Sequence, residues 1–131
     1  MQFSKLHHIA LICSDYEKSK HFYTVILGFT VLQENFREDR QSYKLDLISA
    51  EGLQLELFSF PKTPPRVSRP EACGLRHLAF AVKDMDQAIS HLTANSVTTE
   101  PVRIDEYTGK KFTFFQDPDA LPIELYETTK S

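Results

Sequence analysis

Leu6-His7-His8-Ile9-Ala10-Leu11 and Leu75-Arg76-His77-Leu78-Ala79-Phe80 decide how this chain is read. Both have the form L-x-H-[IL]-A-[LF], and 69 residues separate His8 from His77. A second pair obeys the same rule. Leu53-Gln54-Leu55-Glu56-Leu57-Phe58 and Leu121-Pro122-Ile123-Glu124-Leu125-Tyr126 share L-x-[LI]-E-L-[FY], with 68 residues between Glu56 and Glu124. Two separate matches at nearly one offset mark an internal duplication. Asp15 and Asp84 repeat at the first offset, and each opens a helical pattern.

Working outward from these segments, the apolar, β-favouring run 5–12 predicts a strand. Residues 15–27 place Tyr16, Ser19, Phe22, Tyr23 and Ile26 at helical spacing, with Asp15 as N-cap and Gly28 as the closing glycine. Strands are predicted over 29–36, 42–48 and 53–60. The second copy predicts a strand at 75–82 and a helix at 85–95, capped by Asp84 and buried through Met85, Ala88, Ile89 and Leu92. Strands at 98–104, 111–116 and 121–127 complete it. The expected fold is α+β: one domain over 1–131 made of two βαβββ modules, about 5–60 and about 74–128. The linker 61–73 contains Pro61, Pro64, Pro65 and Pro70, whose fixed φ and missing N–H favour an extended, stiff connector.

Composition narrows the function. Hydrophobic residues at 41% and charged residues at 25% describe a folded domain. A net charge of -3 and a pI near 5.9 leave no basic surplus for nucleic-acid phosphates. No apolar run approaches the roughly 18 residues of a membrane span. The N-terminal stretch has no small-residue cleavage site and enters a strand pattern at once, so it does not read as a signal peptide. Cys13 and Cys73 are too few for a disulfide framework and form no CxxC; they are expected to be reduced thiols of a cytoplasmic protein.

Each module supplies one histidine from its first strand and one glutamate from its last. Packing two related modules about a pseudo-twofold axis gathers the equivalent positions, here His8, Glu56, His77 and Glu124. Two imidazoles and two carboxylates suit a divalent Zn, Ni, Co, Mn or Fe ion and leave coordination positions for water or substrate. Strict alternation would let one such glutamate face solvent. A carboxylate turned inward is costly unless paired or metal-bound, and its recurrence beside an equivalent histidine favours the metal reading. The repeat selects His8 over His7, because His7 aligns with Arg76; His7 is expected to face outward or to support His8. His21 and His91 lie in helices and do not repeat.

Taken together, these motifs resemble the vicinal oxygen chelate superfamily. That group includes glyoxalase I, fosfomycin resistance enzymes, extradiol dioxygenases, methylmalonyl-CoA epimerase and metal-free bleomycin-binding proteins. The resemblance spans about 5–127. It is carried by His8–Asp15 running into Ser19–Gly28, by Arg76–Val82 and by Phe115–Leu125. It implies curved mixed sheets of the glyoxalase/bleomycin resistance/dioxygenase fold. The full His-Glu-His-Glu pattern is similar to glyoxalase I; the dioxygenases and fosfomycin enzymes have no acid matching Glu56, and the epimerases tend to carry Gln there. Arg69–His77 and Asp105–Lys110 resemble the small glyoxalase-like branch typified by YaeR, a likeness that does not name a substrate. One departure is local: the usual Asp-Pro-Asp-Gly turn reads Asp117-Pro118-Asp119-Ala120. Alanine tolerates positive φ poorly, so this turn is expected to differ slightly without displacing Glu124.

The resemblance implies a metal-dependent lyase or isomerase acting on a small oxygenated metabolite. One divalent ion per site binds two neighbouring oxygens, and Glu124 or Glu56 shuttles a proton, with Glu124 the first choice. Glutathione is an admissible co-substrate. The competing readings are an Fe(II) ring-cleaving dioxygenase, against which Glu56 speaks, and a non-catalytic small-molecule-binding protein. Arg37, Arg69, Lys110 and Lys111 are candidate anion contacts, against the alternative of solvated charges. Tyr43 and Phe112 are candidates for an apolar wall, against ordinary strand packing, and the loop Asp105–Lys111 is a candidate cover. The modules pair either within one chain or across two. Short relatives favour a homodimer in which His8 and Glu56 meet His77 and Glu124 of the partner subunit.

Overall fold

Asp15 accepts a hydrogen bond from the Lys18 amide and Asp84 one from the Gln87 amide, each at 3.1 Å, so two N-caps start two helices at equivalent places. In the computed structural model, which describes residues 1–128, these helices belong to two compact units that divide between Pro65 and Arg66. Unit one holds β1 (Ile9–Cys13), α1 (Tyr16–His21) running on into a π-helical turn (Phe22–Ile26), β2 (Thr30–Arg37), β3 (Ser42–Ile48) and β4 (Gln54–Ser59). Unit two holds β5 (Leu78–Val82), α2 (Met85–Ala94), β6 (Arg103–Ile104), β7 (Lys111–Gln116) and β8 (Pro122–Glu127). The sheets are ordered β1-β4-β3-β2 and β5-β8-β7-β6. In each, the first strand runs parallel to the last and the other pairs are antiparallel. The fold is thus α+β, with two four-stranded mixed sheets of the same topology.

Strand alternation gives each sheet two unlike faces. In unit one, Leu45 and Leu47 of β3 and Leu55 and Leu57 of β4 point to one side and are buried, as are Leu11 and Cys13 of β1. Tyr16, Phe22 and Tyr23 of the helical segment are buried with them, and α1 packs on β4. In unit two, Thr113, Phe115, Ile123 and Leu125 are buried along with Met85 and Leu92 of α2, which packs on β8. Each helix therefore covers one sheet face. The alternate residues, Glu56 and Glu124 among them, stand on the other face.

Four predicted elements come out shorter or altered, three of them for a backbone reason. Over 15–27 an α-helix gives way to a π turn, in which Leu27 N–H reaches Phe22 O at 2.9 Å. There the Thr24 hydroxyl donates back to Lys20 O at 2.6 Å, and a π turn accommodates such local distortion. Gly28, at φ +82°, then ends the segment. The strand expected over 75–82 begins only at Leu78, because the carbonyls of Leu75 and Arg76 accept from the Arg66 guanidinium at 2.8 and 2.7 Å and not from a strand. Its counterpart over 5–12 likewise begins late, at Ile9. The strand expected over 98–104 shrinks to Arg103–Ile104, since Pro101 has no N–H to give a ladder. Glu100 still bonds β7, its N–H to Phe114 O at 2.9 Å and its carbonyl to the Thr113 hydroxyl at 2.6 Å.

The turn before β8 forms with alanine in a left-handed conformation, φ +66° at Ala120. Asp117 holds it: its Oδ1 accepts from the Asp119 and Leu121 amides at 2.9 Å each, and its carbonyl from Ala120 N–H at 3.0 Å. An L-residue there costs roughly 1–2 kcal/mol, partly offset by the freedom glycine regains on unfolding. Ala120→Gly is therefore expected to stabilise the protein by about 0.5–1 kcal/mol, raising Tm by roughly 2–4 °C in a thermal melt. An unchanged or lower Tm means the turn carries no such strain.

Candidate metal centre

Parallel pairing sets Ala10 of β1 beside Glu56 of β4, and Ala79 of β5 beside Glu124 of β8. His8 and His77 stand two residues before those alanines and so share their face. Both histidines lie one residue ahead of their strands, not inside them as predicted. The small side chains of Ala10 and Ala79 leave room for each imidazole to approach the neighbouring carboxylate. His8 Nε2 lies 3.4 Å from Glu56 Oε2, and His77 Nε2 lies 3.1 Å from Glu124 Oε1. The four side chains are part-exposed, at 37%, 19%, 26% and 15% for His8, Glu56, His77 and Glu124. The sheet face is therefore open to a ligand.

These spacings test whether the residues fit a metal. Two donors on one ion, with bonds of about 2.1 Å at 90–110°, stand about 3.0–3.4 Å apart. Both pairs meet that requirement. The His8–Glu56 separation is also longer than the roughly 2.7–2.9 Å of a charge-assisted hydrogen bond. The structure brings together His8 with Glu56 and His77 with Glu124. Among the described residues, no three or more His, Cys, Asp or Glu side chains are gathered for one ion.

The supports of the two pairs differ. His7 Nδ1 lies 2.9 Å from His8 Nδ1, the place of an outer partner that orients a ligating imidazole. His77 Nδ1 is buried with no hydrogen-bond partner among the described residues, and the ring is held edge-on against Phe114 at 5.1 Å. Across from Glu56 sits Asp46, and Lys44 Nζ lies 2.8 Å from Asp46 Oδ1 and 3.8 Å from Glu56 Oε1. The hydrogen bond to Asp46 holds the Lys44 ammonium above its usual range, so the cation persists beside Glu56. In unit two the corresponding strand positions are Phe112 and Phe114. Sequence reading passed over Ala10, Ala79, Lys44, Asp46 and Phe114. The alanines were already visible inside the duplicated motif, and the others follow from alternation once the β3–β4 and β7–β8 registers are known.

The remaining sequence candidates divide by face. Arg37 pairs with Ser42 on the Glu56 face, donates to its hydroxyl at 2.7 Å, and lies over the rings of Phe58 and Phe60 at 5.0 and 5.8 Å. Tyr43 is on the opposite face, stacked on Tyr16 of α1 with centroids 4.1 Å apart, and so does not line the wall proposed for it. Phe112 is on the Glu124 face, across from Tyr126. Lys111 pairs with Ile104 and is exposed. Lys110 belongs to a loop closed by Asp105, which accepts from the Tyr107 amide and the Tyr126 hydroxyl, both at 2.8 Å. These bonds, the Tyr107 amide foremost, hold the Asp105 carboxyl below its usual range. Arg69 and His77 both line a cavity of about 450 Å³ in unit two. Cys13 is a buried free thiol and Cys73 an exposed one. No described helix is long and apolar enough to cross a membrane.

Two sheets of one topology, each with a histidine–glutamate pair on its open face, define a duplicated βαβββ class. The chain belongs to the Glyoxalase/Bleomycin resistance protein/Dioxygenase superfamily, which its residues 5–125 match. It is 59% identical over 127 residues to the uncharacterized protein YwkD of Bacillus subtilis (strain 168), covering 97% of this chain and 99% of that one. It is 58% identical over 123 residues to the uncharacterized protein YaeR of Escherichia coli (strain K12), covering 94% and 95%. The crystal structure of a glyoxalase family protein from Enterococcus faecalis superposes with a TM-score of 0.91 at 48% identity, over 97% of this chain and 100% of that chain. The fold is also that of a variant of the fosfomycin resistance protein FosX from Listeria monocytogenes, solved with Mn(II) and a dihydroxypropylphosphonic acid. That likeness has a TM-score of 0.74 at 22% identity over 98% and 93% of the chains.

Proposed function

We propose that this protein is a metal-dependent lyase or isomerase of the glyoxalase type, acting on a small metabolite that presents two neighbouring oxygens. One observation carries the reading: an imidazole–carboxylate pair at ion-sharing distance, built twice by the same strand register. His8, Glu56, His77 and Glu124 would hold one divalent ion; that a FosX variant of the same fold was solved with Mn(II) supports a divalent ion in such a fold, without bearing on this ligand set. When bound, such an ion supplies Lewis-acid stabilisation to the developing oxyanion.

The chain's own groups divide the remaining work. Lys44 provides a counter-charge 3.8 Å from Glu56, whereas the residue across from Glu124 is Phe114, which provides none. That asymmetry supports a steadier ligand role for Glu56 and proton transfer between adjacent carbons by Glu124, the first choice of the family resemblance. Phe112, Phe114 and Tyr126 on the Glu124 face limit water around the reacting carbons. Each pair is complete within its own unit, so the second pair can come from another copy. We therefore take the working form as a cytoplasmic homodimer whose sites join unit one of one protomer to unit two of its partner.

The test begins with elemental analysis of protein purified without added metal, followed by a metal-by-substrate screen with and without glutathione. The expected result is a stoichiometric divalent ion and metal-dependent turnover. Glu124→Gln should keep metal and lose turnover by about 10²–10⁴-fold, the usual contribution of a general base. Full activity in Glu124→Gln removes the proton-transfer role. A protein that takes up no Ni, Zn, Co, Mn or Fe ends the reading, and a metal-loaded monomer in sedimentation refutes the shared site.

A further inference from the structure

The cavity of about 450 Å³ in unit two is walled by the segment carrying Arg66, Arg69 and Arg76 and by Arg103 and Phe114, with His77 among its lining residues. Its volume suits a small organic ligand, larger than a bare ion. Its charge is unbalanced. Arg76 is ion-paired with Glu71, and Arg103 with Glu100 at 2.8 Å; both glutamates also line the cavity. Among the described residues, Arg66 is bonded only to neutral groups: the Ser68 hydroxyl at 3.0 Å and the carbonyls of Leu75 and Arg76. The Arg69 guanidinium has no partner among the described residues. Two arginines that line the cavity thus carry charge that no carboxylate among the described residues pairs with, and planar guanidinium forks match the oxygens of a carboxylate or phosphate.

The cavity also adjoins the metal centre. Arg103 lies over Phe112 and Phe114 at 5.0 and 5.8 Å, Phe114 abuts His77 at 5.1 Å, and His77 reaches Glu124 at 3.1 Å. We infer that this cavity is an anion subsite, and that the substrate is a small oxygenated metabolite carrying a carboxylate or phosphate beyond its two neighbouring oxygens. The chemistry assigned to that substrate rests on the proposed metal centre. The binding of its anionic end does not.

Metal-free, full-length protein kept in chelator is titrated calorimetrically with inorganic phosphate and, separately, with malonate. At least one probe should bind saturably, more weakly as salt rises. Arg69→Gln should weaken that binding roughly tenfold or more, the scale of one lost charge-assisted hydrogen bond. Arg40→Gln, the same charge change at an exposed position of unit one, should leave it unchanged. Tighter phosphate binding assigns a phosphorylated substrate and tighter malonate binding a carboxylated one. Absence of saturable binding by both probes, or equal losses in the two variants, overturns the subsite. Should the protein take up no metal while phosphate or malonate still depends on Arg69, the subsite stands and the metal centre alone falls.

Discussion

His77→Ala is expected to lower divalent-metal affinity by more than about 100-fold, and His8→Ala to do the same. Loss of an outer partner of a ligand typically costs about 10–100-fold, and loss of the donor itself exceeds that. In free energy this is upwards of about 2.7 kcal/mol per variant. His7→Ala should fall inside the outer-partner range, because His7 meets His8 through Nδ1, at 2.9 Å, and edge-on ring contact, not through the Nε2 that faces Glu56. His21→Ala and His91→Ala, at exposed helical positions, should bind metal as the parent does. Competition against a chromophoric chelator reads the five variants and the parent on one scale. Equal affinity in His77→Ala, His8→Ala and the parent would falsify the metal centre, while loss in His77→Ala alone would confine the ion to unit two.

Leu47→Ala is expected to destabilise the fold by about 3 kcal/mol, within the 2–5 kcal/mol typical of a buried leucine truncated to alanine. Leu47 is fully buried on the central strand β3, with Leu55 of β4 beside it on the helix-covered face. Against a total stability of about 5–15 kcal/mol, that loss should move the urea midpoint without changing the slope. Lys44→Ala, on the same strand but the other face, should change stability by no more than about 0.5 kcal/mol, since a part-exposed ion pair contributes little. Comparable losses in the two variants would mean that the assignment of faces, and with it the open position of Glu56, is wrong.

Much of the architecture was legible in the chain because it depends on local rules. Asp15 and Asp84 cap helices because a carboxylate can reach the amide three residues on, and both do so. Strands 42–48 and 111–116 appear where predicted, the first through its apolar–polar alternation and the second through a short run rich in β-favouring phenylalanine and threonine. The stretch around Thr24 and the one around Pro101 were misread, because a side-chain hydroxyl and a missing N–H act on backbone bonds that a hydrophobic pattern does not record.

The repeat alone singled out His8, Glu56, His77 and Glu124, since equivalent positions of duplicated modules carry equivalent side chains. Alternation also let Tyr43 and Phe112 be named together as wall candidates. It could not say that Tyr43 packs on Tyr16 while Phe112 shares the face of Glu124. Which face a strand turns toward its helix, and which side chains become neighbours across the parallel β1–β4 and β5–β8 pairs, depends on registers between segments more than 40 residues apart. Those registers set the spacing of each imidazole from its carboxylate; the β3–β4 register put Lys44 beside Glu56, and Arg66 and Arg69 came to line a cavity with no carboxylate paired to either among the described residues. Local sequence determined the elements and the chemistry they carry. Only the tertiary structure decided adjacency, because side-chain distance across a sheet follows from backbone hydrogen bonds made far away in the chain.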